Sequence, residues 1–151
     1  MPRDSSITAD LRESLEQRLE LTPPAVAYLC ALFDTIQGLD DWFDGDDTPD
    51  KAATIWNAVG GLQLQPFFMQ HAALLLPLQV NAYLKWMGAN HVEREGGNLP
   101  LAYAWRAGFY DIVLQCVLLV HGIERATQLA PEVMAIYGES FEDYAKEFEN
   151  A

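Results

Sequence analysis

Positive charge is scarce in this chain: nine Lys and Arg stand against 22 Asp and Glu, a formal net charge of −13 over 151 residues. No Lys or Arg occurs between Arg18 and Lys51, and no side chain ionised at neutral pH occurs between Lys51 and Lys85. Such a surface repels phosphate backbones and anionic membrane faces, which argues against direct nucleic-acid binding and against membrane attachment. Cysteine is scarce too. Cys30 and Cys116 each lie inside an apolar helical pattern, which fits reduced, buried thiols in a cytoplasmic protein and excludes a disulfide framework. There is no G-x-S-x-G, no P-loop, no dinucleotide fingerprint and no C-x-x-C. The opening MPRDSSITADLRESLEQ reaches charge at once and reads as no signal peptide.

What is present is apolar mass. A hydrophobic fraction of 50% with 11% aromatics excludes disorder, and the length suits one domain. No segment alternates with period two and no repeat occurs, so the expected fold is all-α: a single-domain bundle of six or seven helices. The segment from Pro66 to Met87, apolar on nearly every side, is expected to be its enclosed central helix. A membrane span is disfavoured. Residues 66–87 carry Gln70, His71, Pro77, Gln79 and Asn81, and residues 99–120 carry Arg106 and Asp111 near their middle, where charge costs about 2.5–3.5 kcal/mol.

Along the chain, Thr8 is expected to cap a peripheral first helix within residues 1–22, striped by Leu11, Leu15 and Leu19. Thr22-Pro23-Pro24 starts a second helix running to about Phe43, broken at Gly45. Thr48 and Pro49 read as the cap and first turn of a third, closed by Gly60-Gly61. Pro66 opens the central helix, Pro77 bends it and Gly88 stops it, leaving residues 88–98 as a polar loop. Asn98 leads into a long helix to His121, ended by Gly122. Shorter helices follow over 123–130 and 131–149, with Ser140 and Asp143 resembling a capping box ahead of an acidic C-terminal helix or tail over 139–151.

The most unusual local chemistry is DDWFDGDDTPD at residues 40–50. Carboxylates at a helix C-terminus face the negative end of its dipole, a placement that a bound cation relieves. Asp34, Asp40, Asp41 and Asp44 therefore form the candidate metal set, with magnesium or manganese as the ion. An EF-hand fails on spacing: Trp42 and Lys51 fall where an oxygen ligand and a bidentate Glu are needed. Asp40, Asp41 and Asp44 also match the D-D-x-x-D signature of prenyl diphosphate synthases. The match covers five residues, its second partner at 139–143 departs from the pattern, and the chain is about half the length that family needs.

Asp111 stands in GFYDIVLQCVLLV and shares a helix face with Ala104, Ala107, Gly108, Gln115 and Leu118. Small residues there imply a second helix lying close, so Asp111 is expected to be partly buried and partnered, with His71, Asn81, Arg106 or Arg125 as the candidates. His71, Asn81, Asp111 and Gln115 form the candidate buried polar set, which sets helix register on one reading and serves as an acid–base or metal pair on another.

Taken together, Asp40–Asp46, Pro66-Phe67-Phe68 with His71, Asn81 with Trp86, and Tyr103-Ala104-Trp105-Arg106 with Asp111 resemble a group of small helical proteins encoded by tailed bacteriophages and prophages. The likeness spans roughly residues 25–121. It implies a genomic origin and carries no assigned activity.

Three functions follow as expectations. The first is a non-enzymatic protein working through protein contacts as a homodimer or larger homo-oligomer without a cofactor, its subunit contact sought around Trp56–Leu64. The second is a magnesium- or manganese-dependent hydrolase or binder of a phosphorylated small molecule. The third is an acidic nucleic-acid mimic that occupies a groove on a basic host or phage protein.

Overall fold

The computed structural model describes residues 5–149, and all of their regular structure is helical. Nine α-helices follow in order: α1 (Ser5–Glu13), α2 (Pro23–Asp44), α3 (Lys51–Trp56), α4 (Pro66–Gln70), α5 (Ala72–Arg94), α6 (Leu99–Arg106), α7 (Gly108–His121), α8 (Ile123–Ala135) and α9 (Phe141–Glu149). The all-α expectation holds. The chain forms two compact units, one up to Ala72 and one from Ala73 onward.

In the first unit, α1 already runs at Ser5, so the expected start at Thr8 falls inside the helix. Leu11, Leu15 and Leu19 are buried together, which makes the first helix part of the unit's core. Their repeat of four residues drifts against the 3.6-residue turn of an α-helix. A wide π-helical turn over Ser14–Arg18, with Leu19 N–H donating to the Ser14 carbonyl at 3.1 Å, keeps Leu19 on the buried side. α2 begins after Thr22 with proline in its first turn and ends in a Schellman motif. Gly45 sits at φ 81°, its N–H donates to the Trp42 carbonyl at 3.2 Å, and Asp46 N–H donates to the Asp41 carbonyl at 2.7 Å.

Asp50, not Thr48, caps α3: its carboxylate accepts from Ala53 N–H at 2.9 Å. Thr48 instead turns inward, donating its hydroxyl to the Gly38 carbonyl at 3.3 Å and fastening the acidic turn onto α2. A second π-helical turn, Asn57–Gly61, extends α3. The core closes with Tyr28, whose ring lies 6.3 Å from Phe67 and 5.8 Å from Phe68.

The expected central helix is two helices. α4 stops at His71, which leaves the helical region at φ −123° and ψ 23°, and α5 then runs through Pro77 and past Gly88 to Arg94. Gly88 is a packing position: a Cβ there would stand 3.1 Å from Cζ3 of Trp105, so glycine lets the indole lie on the helix backbone. The expected polar loop shrinks accordingly to residues 95–98.

The expected helix over 99–121 is also two, α6 and α7, meeting at Ala107 with a 41° bend. Asn98 caps α6, accepting from Leu101 N–H at 3.1 Å. Gly122, at φ 83°, ends α7 and lets α8 fold back against it. Ser140 caps α9: its hydroxyl accepts from Asp143 N–H at 3.1 Å and donates to the Asp143 carboxylate at 2.9 Å. The core of this second unit is Leu75, Ala89, Phe109, Ile112, Val113, Cys116, Val117, Leu129, Val133 and Tyr144. Among the described residues no single helix is long and apolar enough to cross a membrane; α6 and α7 pass that test only as a bent pair, by length and composition.

Candidate functional site

The candidate metal set is spread along one helix. Asp34, Asp40 and Asp41 are half-buried on α2, Asp44 is exposed at its end, and each of the four engages neighbouring groups. Among the described residues, no three His, Cys, Asp or Glu side chains are arranged to hold a metal ion.

The candidate buried polar set is not a buried set. Asn81 is exposed on α5, and Gln115 is half-buried on α7. His71 closes α4 with its ring 4.8 Å from that of Phe67. Asp111 has a side chain 50% exposed and accepts from Lys85 Nζ at 2.8 Å, a partner absent from the expected ones. The small-residue argument holds even so. A Cβ on Gly108 would stand 3.0 Å from Ala82 Cβ and 3.1 Å from Ala82 Cα, so α5 and α7 do approach closely there. Asp111 lies at the rim of that contact, where Lys85 reaches it from α5.

The polar group that is enclosed was missed in the sequence. Arg106, ending α6, donates to Asn90 Oδ1 at 2.6 Å and to both carboxylate oxygens of Glu93 at 3.3 Å. The Tyr144 hydroxyl of α9 donates to Glu93 Oε1 at 2.7 Å, and Tyr144 and Asn90 are both buried. One cation and one α9 hydroxyl thus hold the same carboxylate, which is what a carboxylate removed from water requires. Its signal was available. Leu75, Ala82, Ala89 and Glu93 stand seven, seven and four apart, one continuous helix face, provided that α5 runs through Gly88.

Beside this clamp lies an aromatic cluster. The Tyr103 ring lies 5.2 Å from Tyr137, 5.6 Å from Phe141 and 5.3 Å from Tyr144, and Tyr137 lies 5.0 Å from Tyr110. The Tyr103 hydroxyl donates to the Glu139 carbonyl. Burial pushes the Tyr110 phenol up to about 12 and raises Tyr103, Tyr137 and Tyr144 as well, with the Glu93 carboxylate adding to the effect at Tyr144. All four are neutral near pH 7.

A second feature is an exposed apolar face. On α5, Leu76, Val80, Tyr83 and Leu84 are all about half exposed along one side, Leu84 at 59%, and Leu74 is half exposed on another. This corrects the expectation of an enclosed central helix. Only Leu75, Ala89 and Asn90 of α5 are buried. Around Trp56–Leu64, where a subunit contact was sought, Trp56, Val59 and Leu64 are likewise exposed while Leu62 is buried.

Comparison with known proteins gives no match to a family model, to a curated protein or to a solved structure.

Proposed function

We propose that this chain is a non-enzymatic contact protein that works by associating with copies of itself. The observation that carries the reading is the bare, uncharged face of α5. Leu76, Val80, Tyr83 and Leu84, at 48–59% exposure, share one side of the helix over about two turns, an exposed apolar face of the kind that marks protein–protein contact. The charge distribution supports the same reading, because a chain at −13 repels its copies wherever carboxylates meet and least where ionised groups are missing. The likeness to small phage-encoded helical proteins belongs to this reading as a proposal about origin.

Light scattering coupled to gel filtration at micromolar concentration tests it. A mass of twice 16.9 kDa or more is expected. A monomer at that concentration sinks the proposal.

A further inference from the structure

We infer that α5 pairs with α5 of a second copy, antiparallel, through a short coiled-coil seam running from Ala73 to Met87. This rests on the self-association proposed above and adds the surface, the orientation and the register.

The seam is legible in the spacing of what is exposed. Ala73, Leu76, Val80, Tyr83 and Met87 follow one another at intervals of three and four residues, the alternation that keeps one side of a helix against a partner helix. Pro77 and Leu84 widen the same side. All of these are exposed except Met87, which is half-buried. The opposite side, Leu75, Ala82 and Ala89, is the one turned toward the unit's own helices, with Ala82 against Gly108. α5 is therefore apolar on two sides, one satisfied within its unit and one bare, and the bare side spans ~21 Å of helix at 1.5 Å per residue.

Charge selects the occupant. The seam carries no carboxylate for a basic partner to meet. The one ionised residue within it by number, Lys85, points away from it toward the Ala82 side and is already paired with Asp111. A second copy presents the same uncharged strip, so two acidic chains meet where their mutual repulsion is weakest.

Size selects the direction. The N-terminal end of the seam is slight, with Ala73 and Pro77, and the C-terminal end is bulky, with Tyr83, Leu84 and Met87. A parallel pair sets slight against slight and bulky against bulky, which leaves a gap at one end and crowding at the other. An antiparallel pair sets Leu76 opposite Met87 and Val80 opposite Tyr83, each layer repeated by the twofold axis, and opposes the two helix dipoles.

Thiol cross-linking decides it, because the native Cys30 and Cys116 are buried. Leu76→Cys and Met87→Cys are made as separate chains and oxidised mildly, singly and mixed, with far-UV circular dichroism as the folding check. The expected result is a disulfide-linked dimer in the mixture and little in either variant alone. Val80→Glu is expected to yield monomers with unchanged helix content. Linkage of Leu76→Cys to itself overturns the antiparallel pairing. A dimer by light scattering that neither thiol mixing nor Val80→Glu affects overturns the seam while leaving self-association standing. A monomeric wild-type chain overturns both.

Discussion

α2 and α5 are nearly the same length, 22 and 23 residues, and both are apolar on most sides, yet they are held in opposite ways. α2 buries eight of its residues, from Ala25 to Gly38, among α1, α3 and α4. α5 buries three, and its last turns are fixed by the polar clamp of Asn90, Glu93 and Arg106. Hydrophobicity all round a helix thus states that the helix must be covered. It does not state whether the cover comes from the same chain.

The sharpest way to break that contrast is one leucine from each helix. Leu29 is fully buried on α2, so Leu29→Ala removes transfer energy and leaves a cavity, an expected loss of ~2–5 kcal/mol. Leu84 on α5 is 59% exposed, so Leu84→Ala is expected to change the stability of the monomer by less than ~0.5 kcal/mol. Urea unfolding followed by circular dichroism at low protein concentration reads both. Equal losses would falsify the claim that the two helices differ in cover.

The clamp gives the next largest effect. Glu93 is 11% exposed at its side chain and Arg106 23%, so Arg106→Met leaves a largely buried carboxylate beside Tyr144 without its cation. Removing one partner of a fully buried pair costs ~3–5 kcal/mol; with this residual exposure ~2–4 kcal/mol is expected. The double variant Arg106→Met/Glu93→Gln should recover part of that loss, because the stranded charge goes with it. If Arg106→Met alone unfolds at the wild-type urea midpoint, α5 is not held by this clamp.

How much of this was legible varies with the physics. Helix ends set by backbone geometry were readable: Gly45, Asn98, Gly122 and Ser140 act where their residue types predict. Ends set by tertiary contact were not. Gly88 looks like a stop and is a landing place for Trp105, and Thr48 looks like a cap and is a tie to Gly38. Misplacing the end of α5 then hid Glu93 in a supposed loop. With no place for Glu93 on a buried face, Asp111 became the natural partner for Arg106. The close approach at Gly108 was inferred correctly, whereas the depth of Asp111 within it and its partner, Lys85, were not.

Alkali acts more gently, on Tyr144 of the clamp and on the ring cluster beside it. Tyr103, Tyr110, Tyr137 and Tyr144 all have folded pKa values above the ordinary ~10 of a free tyrosine, so their contribution to stability is fully present below pH ~10. It is lost as pH rises toward the folded values, because the unfolded chain ionises first; for Tyr110 that window runs from ~10 to about 12. Thermal melts should fall across this window, together with the rise of tyrosinate absorbance. Tyr144→Phe removes the phenol that ionises beside Glu93, so its melting temperature should fall less steeply over the same range. A melting temperature that stays flat from pH 9 to 12 contradicts the clustered, buried phenols.

A small effect separates the clamp from its exposed counterpart on the same helix. Lys85 and Asp111 join α5 to α7 at 2.8 Å, a shorter contact than that of Arg106 with Glu93, yet the Asp111 side chain is half in water. Solvent already stabilises each ion there, so the pair gains little over its separated state: ~0.2–1 kcal/mol, screened further by salt. Asp111→Asn is therefore expected to lower stability by less than ~1 kcal/mol, with the difference vanishing at molar salt. The Arg106→Met loss should persist there, since its charges are sheltered from counterions. If Asp111→Asn instead costs several kcal/mol and the cost is indifferent to salt, Asp111 is enclosed after all, and distance rather than exposure would rank the two attachments of α5.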